Sequence, residues 1–170
     1  MVFTIGHSTR SLPELIALLK AHCVDHLVDI RTIARSRKNP QFNEDTIGCD
    51  LGRAGIAYTH MAGLGGLRHA GKGSQNTGWQ NASFRGYADY MQTPDFERNL
   101  EALIELARHC RPAVMCAEAV PWRCHRSLVA DALLARGVDV RHIMTEKRAQ
   151  PARLTSFARV SGKKVTYPGT

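Results

Sequence analysis

The sequence predicts a three-layer α/β fold: a mainly parallel sheet of about five strands with helices on both faces. Two observations predict it. Short runs rich in β-branched residues alternate with segments of helical periodicity along all 170 residues. A chain of this length also buries about 70% of its unfolded surface, enough for a core without metal or disulfide support. No Gly-x-Gly-x-x-Gly is present, so the expected arrangement is Rossmann-like but lacks the dinucleotide fingerprint. The expected organisation is one domain over 1–170, with 144–170 as a basic C-terminal extension packed on it or trailing from it.

Val2-Phe-Thr-Ile-Gly6 reads as the first strand. Ser11 with Glu14 forms a capping box, and Leu15, Ile16, Leu18 and Leu19 supply the buried side of the first helix. His26-Leu-Val-Asp-Ile-Arg31 is a second, short buried strand. Asn43 caps a weaker helix carrying Ile47, Leu51 and Ala54 on one stripe. Gly48 and Gly52 each weaken it by roughly 1 kcal/mol relative to Ala, and Gly55 suits its stop. Ile56-Ala-Tyr-Thr-His60 is the third strand. The Gly-rich stretch from Gly63 to Ala82 is long for a structureless loop, which makes it either functional or partly mobile.

A short helix is expected from Phe84 to Met91. Thr93-Pro94 opens the clearest helix, with Phe96, Leu100, Leu103, Ile104 and Ala107 on one side. Pro112 to Ala117 is the fourth strand, and a helix is expected from near Pro121 to Arg136, stopped by Gly137. Val138-Asp-Val-Arg-His-Ile143 is the fifth strand, and Lys164-Val-Thr-Tyr167 ends the chain as a short one.

Composition narrows the class. At 44% hydrophobic and 22% charged residues, the chain is neither disordered nor fibrous. The longest apolar runs, Leu15 to Leu19 and Ala113 to Ala117, fall far short of the roughly 20 residues of a membrane span, so no membrane partner is expected. No basic segment precedes the apolar start, so no signal peptide is expected. Cys23, Cys49, Cys110, Cys116 and Cys124 are odd in number and show no paired framework, which fits a reducing, cytoplasmic setting. Net charge is +8, and an anionic partner fits it, either a small molecule or a nucleic acid. Lys147, Arg148, Arg153, Arg159, Lys163 and Lys164 against Glu146 make the tail basic, which equally suits a solvated edge.

In a parallel sheet, ligands bind beyond the carboxyl ends of the strands. Those ends gather chemistry here. The first strand runs into Gly6-His7-Ser8-Thr9-Arg10, and the second ends in Asp29-Ile-Arg31, followed by Arg35-Ser-Arg37-Lys38. The third ends in His60. The fourth ends in Cys116-Ala-Glu118, followed by Arg123-Cys124-His125-Arg126-Ser127 in the first turn of the expected helix. Free N–H groups at such a turn, beside two arginines, suit a phosphate or carboxylate.

His7, Glu118 and His125 are the acid–base candidates, and Cys116 is the candidate nucleophile. Ser8, Arg10, Arg31, Arg35, Arg37, Arg123, Cys124 and Arg126 are the candidate anion-binding residues. Asp29 joins them as a carboxylate held ionised by neighbouring arginines, or as a structural ion pair orienting Arg31 or Arg126. Arg85 and Tyr87, in Phe84-Arg-Gly-Tyr87, either stack on a base or pack as a lid. Cys116, Cys124 and His125 also admit structural readings as core residues.

Three tempting motifs fail on spacing. Gly66-Leu-Arg-His-Ala-Gly71-Lys72-Gly73 nearly fits a P-loop, but Gly73 stands where Ser or Thr must hold magnesium. Cys116 to Arg123 encloses six residues, one too many for the tight loop of cysteine phosphatases. Cys116, Cys124 and His125, with His7 or Glu118, match no standard zinc module, although a Cys/His metal site stays an alternative. The sequence points to no particular cofactor, and it leaves the oligomeric state open.

Thr4-Ile-Gly-His-Ser-Thr-Arg10, Arg35-Ser-Arg-Lys-Asn-Pro-Gln-Phe42, Leu64-Gly-Gly66, Phe84-Arg-Gly-Tyr-Ala-Asp-Tyr-Met91, and Met115-Cys-Ala-Glu118 with Cys124-His-Arg-Ser127 occur in this order. Together they resemble the bacterial domain-of-unknown-function family 488. The resemblance spans almost the whole chain, including Arg153-Leu-Thr-Ser-Phe-Ala-Arg159. Ala34 departs from the Pro expected before Arg35, which bears on the stiffness of that loop. The resemblance implies a cytoplasmic α/β domain and brings no settled reaction. From the residues, the expectation is an enzyme acting on a phosphorylated or other anionic substrate, with a non-catalytic nucleic-acid-binding module as the alternative.

Overall fold

The computed structural model describes residues 1–170. Six strands form the main sheet: β1 (Val2–Gly6), β2 (His26–Asp29), β3 (Ala57–His60), β4 (Pro112–Cys116), β5 (Val140–Thr145) and β6 (Arg148–Pro151). They lie in the order β3-β2-β4-β1-β5-β6. The first five are mutually parallel, and β6 adds an antiparallel edge to β5. That edge strand was not anticipated; its sequence, Arg-Ala-Gln-Pro, has no alternating apolar pattern and is held by β5 alone.

Strand alternation sorts the core into two halves. Phe3, Ile5, Leu27, Ala113, Met115 and Ile143 face α1 (Leu12–Ala21) and α2 (Glu44–Arg53). Val2, Val28, Val114 and Val140 face the other way. There they meet α3 (Ala82–Tyr90), α4 (Pro94–Leu106) and α5 (Arg126–Ala135), giving the three layers. None of these helices is long and apolar enough to cross a membrane.

Local chemistry explains most of the helix starts. Ser11 Oγ accepts from the Glu14 N–H at 3.2 Å, and the Glu14 carboxylate accepts from the Ser11 N–H. Thr93 caps α4 through the Phe96 N–H, with Pro94 in the first turn. Asn81 caps α3 through the N–H groups of Ser83 and Phe84. Asn43 precedes α2 but does not cap it: its Oδ1 accepts from the Ser36 N–H at 2.8 Å and ties down the preceding loop instead. Gly55, at φ +79°, ends the second helical stretch where a side chain would be strained.

The helix expected from Pro121 is broken. Pro121–Arg123 form a separate 3-10 turn, Cys124 is extended at φ −138° and ψ 150°, and α5 begins only at Arg126. Proline and the apolar stripe both suit a continuous helix, but the side chains of Cys124 and Arg126 are drawn to the end of β4, as described below.

The Gly63–Ala82 stretch is pinned at several points. Asp89 of α3 accepts from the Gly71 N–H, the Ser74 hydroxyl and the Asn76 amide. Trp79 packs edge-on to Phe84 and Phe157. The tail closes over it: β7 (Arg159–Ser161) and β8 (Lys164–Thr166) form a hairpin, and Tyr167 is fully buried behind them. The Tyr167 hydroxyl donates to Asp131 at 2.7 Å, and the Thr155 N–H donates to the same carboxylate. Burial pushes the Asp131 carboxyl above its ordinary range, against those hydrogen bonds. Tyr167→Phe removes one donor from a buried acceptor. Urea denaturation should then show a loss of about 1–3 kcal/mol.

Candidate functional site

The carboxyl ends of β1, β2 and β4 lie side by side at the centre of the sheet. A cleft of about 480 Å³ opens beyond them. Parallel strands point their carboxyl ends the same way, so residues far apart in sequence meet there. His7, Arg31, Arg35, Tyr87, Cys116, Glu118, Arg123, Cys124 and His125 line the cleft.

Cys116 ends β4 and is 2% exposed. Arg126, 1% exposed, donates to its sulfur at 2.8 Å and to the carbonyl oxygens of Glu118 at 2.7 Å and Ala119 at 3.0 Å. The Arg126 Nε–H is buried without a partner. No carboxylate pairs with this guanidinium, and a guanidinium does not give up its proton inside a protein. A buried cation without an anion costs several kcal/mol. Its one ionisable contact is the Cys116 sulfur, and its charge favours the thiolate form there. Burial alone would push the Cys116 thiol up; the Cys124 thiol, the charge of Arg126 and the Glu118 backbone together hold it below the ordinary range.

Gly6 makes this arrangement possible. A Cβ there would lie 1.8 Å from the Glu118 carbonyl oxygen and 2.7 Å from an Arg126 nitrogen. Only a residue without a side chain lets the loop after β4 fold back over the end of β1.

Cys124 lies beside Cys116, whose sulfur, ahead of burial, drives the Cys124 thiol far up. On its other side Cys124 Sγ meets His125 Nδ1 at 3.5 Å. His125 Nε2–H donates to the Ile30 carbonyl at 3.2 Å, which leaves Nδ1 as the acceptor. Burial, and then the charge of Arg126, lowers His125 to about 4, so it is neutral at pH 7. His7 donates Nδ1–H to the Ser8 carbonyl at 2.8 Å and turns the lone pair of Nε2 toward Arg31 Nη1 at 3.4 Å. Burial keeps His7 below its ordinary range, and hence neutral too. Its unprotonated Nε2 thus lies at the cleft floor, against Arg31 Nη1.

Asp29 stands behind the cleft. It accepts from the Arg31 N–H, from Arg31 Nε and Nη2 at 2.9 and 2.7 Å, and from the Tyr58 hydroxyl at 2.6 Å. With its lone pairs so engaged, it orients Arg31, whose Nη1 remains directed to the cleft. Arg126 is likewise internal. Ser8, at φ +49°, contributes its backbone by bonding His7 and Ala117. Arg10 borders a different hollow, with Pro13 and Glu14. Arg37 is exposed outside the cleft. Arg85 spends its guanidinium on the Trp79 carbonyl. Tyr87 is buried, with its hydroxyl on the Leu64 carbonyl and its ring 5.0 Å from that of His125. It is a packing wall of the cleft and offers no free face for stacking.

Sequence reasoning missed the apolar wall of Ile33, Leu67 and Phe84. Phe84 opens the Phe84-Arg-Gly-Tyr87 motif without being singled out in it, and nothing in an isolated Ile33 or Leu67 marks a cleft. It also missed Tyr58, whose place in a strand of mixed residues carries no signal. No group of three or more His, Cys, Asp or Glu side chains converges to hold a metal ion. The ring nitrogens of His125 and Nδ1 of His7 are already committed to protein partners.

The lowered thiol gives a pH prediction. Lowering favours the thiolate, so alkylation of Cys116 by iodoacetamide should reach half its maximal rate below the free-cysteine value of about 8.5. Arg126→Met, which fills the space without the charge, should move that midpoint upward. Peptide mass spectrometry across a pH series reads both.

No curated protein and no solved structure matches this chain. Residues 11–133 match a protein family, a stretch that contains Asp29, Arg31, Cys116 and Arg123 to Arg126 and leaves out Gly6 and His7. With β2 to β4 and the loop from Cys116 to Arg126 inside that match, the chain belongs to the family described as Domain of unknown function DUF488.

Proposed function

We propose that this protein is a thiol-dependent enzyme acting on a phosphorylated or other anionic substrate. The observation that carries this reading is the buried Arg126 guanidinium with the Cys116 sulfur as its only ionisable contact. A thiolate held at the floor of a cleft is a nucleophile. Around it, Arg31 Nη1, the exposed Arg123 and the exposed Arg35 offer positive charge to the substrate's anionic group. Arg35 keeps only a loose pairing with Asp45 at 3.8 Å, so it is available.

In the first half of the reaction the thiolate attacks and the leaving group departs with the bonding pair. In the second half, water releases the group from sulfur, and His7 Nε2, which bears a lone pair, takes the proton of that water. The Glu118 carboxylate, exposed at the rim, is the other group in reach of solvent protons. Five free cysteines suit a reducing compartment, and we read the protein as cytoplasmic on that ground.

A second reading, a nucleic-acid-binding module, draws on the exposed Arg35, Arg37 and Lys38 and on Trp122, 59% exposed beside Arg123.

A thermal-shift panel of inorganic phosphate, nucleoside monophosphates, sugar phosphates and short oligonucleotides separates the two. A ligand at about 100 times its Kd adds roughly 2.7 kcal/mol, which moves the midpoint by several degrees. The enzyme reading expects a small phosphorylated ligand to do this and Arg123→Ala to weaken it about tenfold, with turnover abolished by Cys116→Ser. A shift confined to oligonucleotides and lost with salt favours the binding module. No shift with any member of the panel overturns both.

A further inference from the structure

We propose that Cys116 and Cys124 form a dithiol–disulfide couple, in which Cys116 meets a hydroperoxide and Cys124 resolves the product. The proposal rests on the thiolate of the preceding reading but needs no anionic substrate.

The loop geometry brings the pair together. The chain leaves the sheet at Cys116, turns through Pro121–Arg123, and returns at Cys124. Cys124 is extended, between the 3-10 turn and α5, so its side chain drops toward the end of β4 rather than following the helix surface. Both sulfurs line the same cleft, and both residues are nearly buried, at 2% and 7% exposure. They also join the same core cluster. The other cysteines lie elsewhere: Cys23 and Cys49 are exposed, and Cys110 follows α4 with its thiol on the Leu106 carbonyl.

The two sulfurs are not equivalent. Arg126 donates to Cys116, which makes it the attacking thiolate. Cys124 keeps its proton, with the His125 Nδ1 lone pair 3.5 Å from its sulfur to take that proton when it attacks. In the first step the Cys116 thiolate attacks the terminal oxygen of the hydroperoxide. The O–O bond breaks, an S–O bond forms, and the alkoxide leaves with the electron pair and takes a proton from solvent. Cys116 is then a sulfenic acid. In the second step the Cys124 sulfur attacks the Cys116 sulfur. The S–O bond breaks, the S–S bond forms, and hydroxide leaves as water with the proton from Cys124. The peroxide is reduced to alcohol and water, and the two thiols are oxidised to one disulfide. An external dithiol reverses the link by exchange.

One equivalent of cumene hydroperoxide, added to the full-length protein with dimedone present, tests this. Peptide mapping of the wild type should show a Cys116–Cys124 link, a mass loss of two hydrogens, and reversal by dithiothreitol. Cys124→Ser, close to isosteric, should instead accumulate the dimedone adduct on Cys116. Cys116→Ser should show neither. Equal dimedone yield in wild type and Cys124→Ser overturns the couple, as does overoxidation of Cys116 without a link. Iodoacetamide on the same samples keeps the two readings apart. Fast alkylation of Cys116 with no link overturns the couple alone, whereas slow alkylation with no link overturns the thiolate as well. A link formed in a protein that binds no phosphorylated ligand upholds the couple and removes only the anionic substrate.

Discussion

The contact between Arg126 and the Cys116 sulfur organises this molecule around a buried charge. A guanidinium with 1% exposure needs acceptors for its N–H groups and an anion for its charge. It takes two acceptors from the loop that follows β4, the carbonyls of Glu118 and Ala119, and so fixes the path of that loop. Its one ionisable partner is the Cys116 sulfur. Where the loop goes then decides the rest: Gly6 must lack a side chain to admit it, and Cys124 is delivered opposite Cys116. The helix that would have begun at Pro121 is interrupted because Arg126 has to reach inward from its first turn.

The two faces of the sheet divide the labour. Against α1 and α2 the core is apolar apart from the buried Asp29–Arg31–Tyr58 cluster at the strand ends. The opposite face carries buried polar groups among its apolar residues. Thr4 meets His142 at 2.6 Å across neighbouring strands, and Asp131 meets Tyr167 under the tail. Burial, followed by the charge of Arg126, lowers His142 to about 4. Burial, reinforced by the Arg126 charge, thus keeps both nearby histidines neutral, which leaves their nitrogens as hydrogen-bonding groups.

Rigidity around the cleft has the same origin. The long glycine-rich segment is not free to swing, because Asp89 accepts from three of its donors and the Asn76 amide also holds the Tyr167 backbone. Tyr87 and Tyr90 tie its start through the Leu64 and Gly63 carbonyls. Gly66 lets it pass close to His125: a Cβ there would come within 3.1 Å of Nδ1. The residues that looked like a base-stacking platform are the anchors of this segment.

Local pattern alone determined the five parallel strands, the capping box of α1 and the cap of α4, and the gathering of His, Arg, Asp and Cys at one edge. Periodicity and cap chemistry are short-range, and the carboxyl-end rule follows from parallel strands, so these were legible residue by residue. Tertiary structure decided which of the gathered residues face the cleft. Asp29 and Arg126 stand behind the cleft residues and hold them: Asp29 orients Arg31, and Arg126 bonds the Cys116 sulfur. Tyr58, from a strand with no marked pattern, joined the site because the β2–β3 register brings it within reach of Asp29. Asn43 abandoned its cap for Ser36, and the edge strand β6 exists because β5 had a free side. Each of these depends on a partner dozens of residues away or on a competing acceptor, and a single sequence holds no record of distance in space.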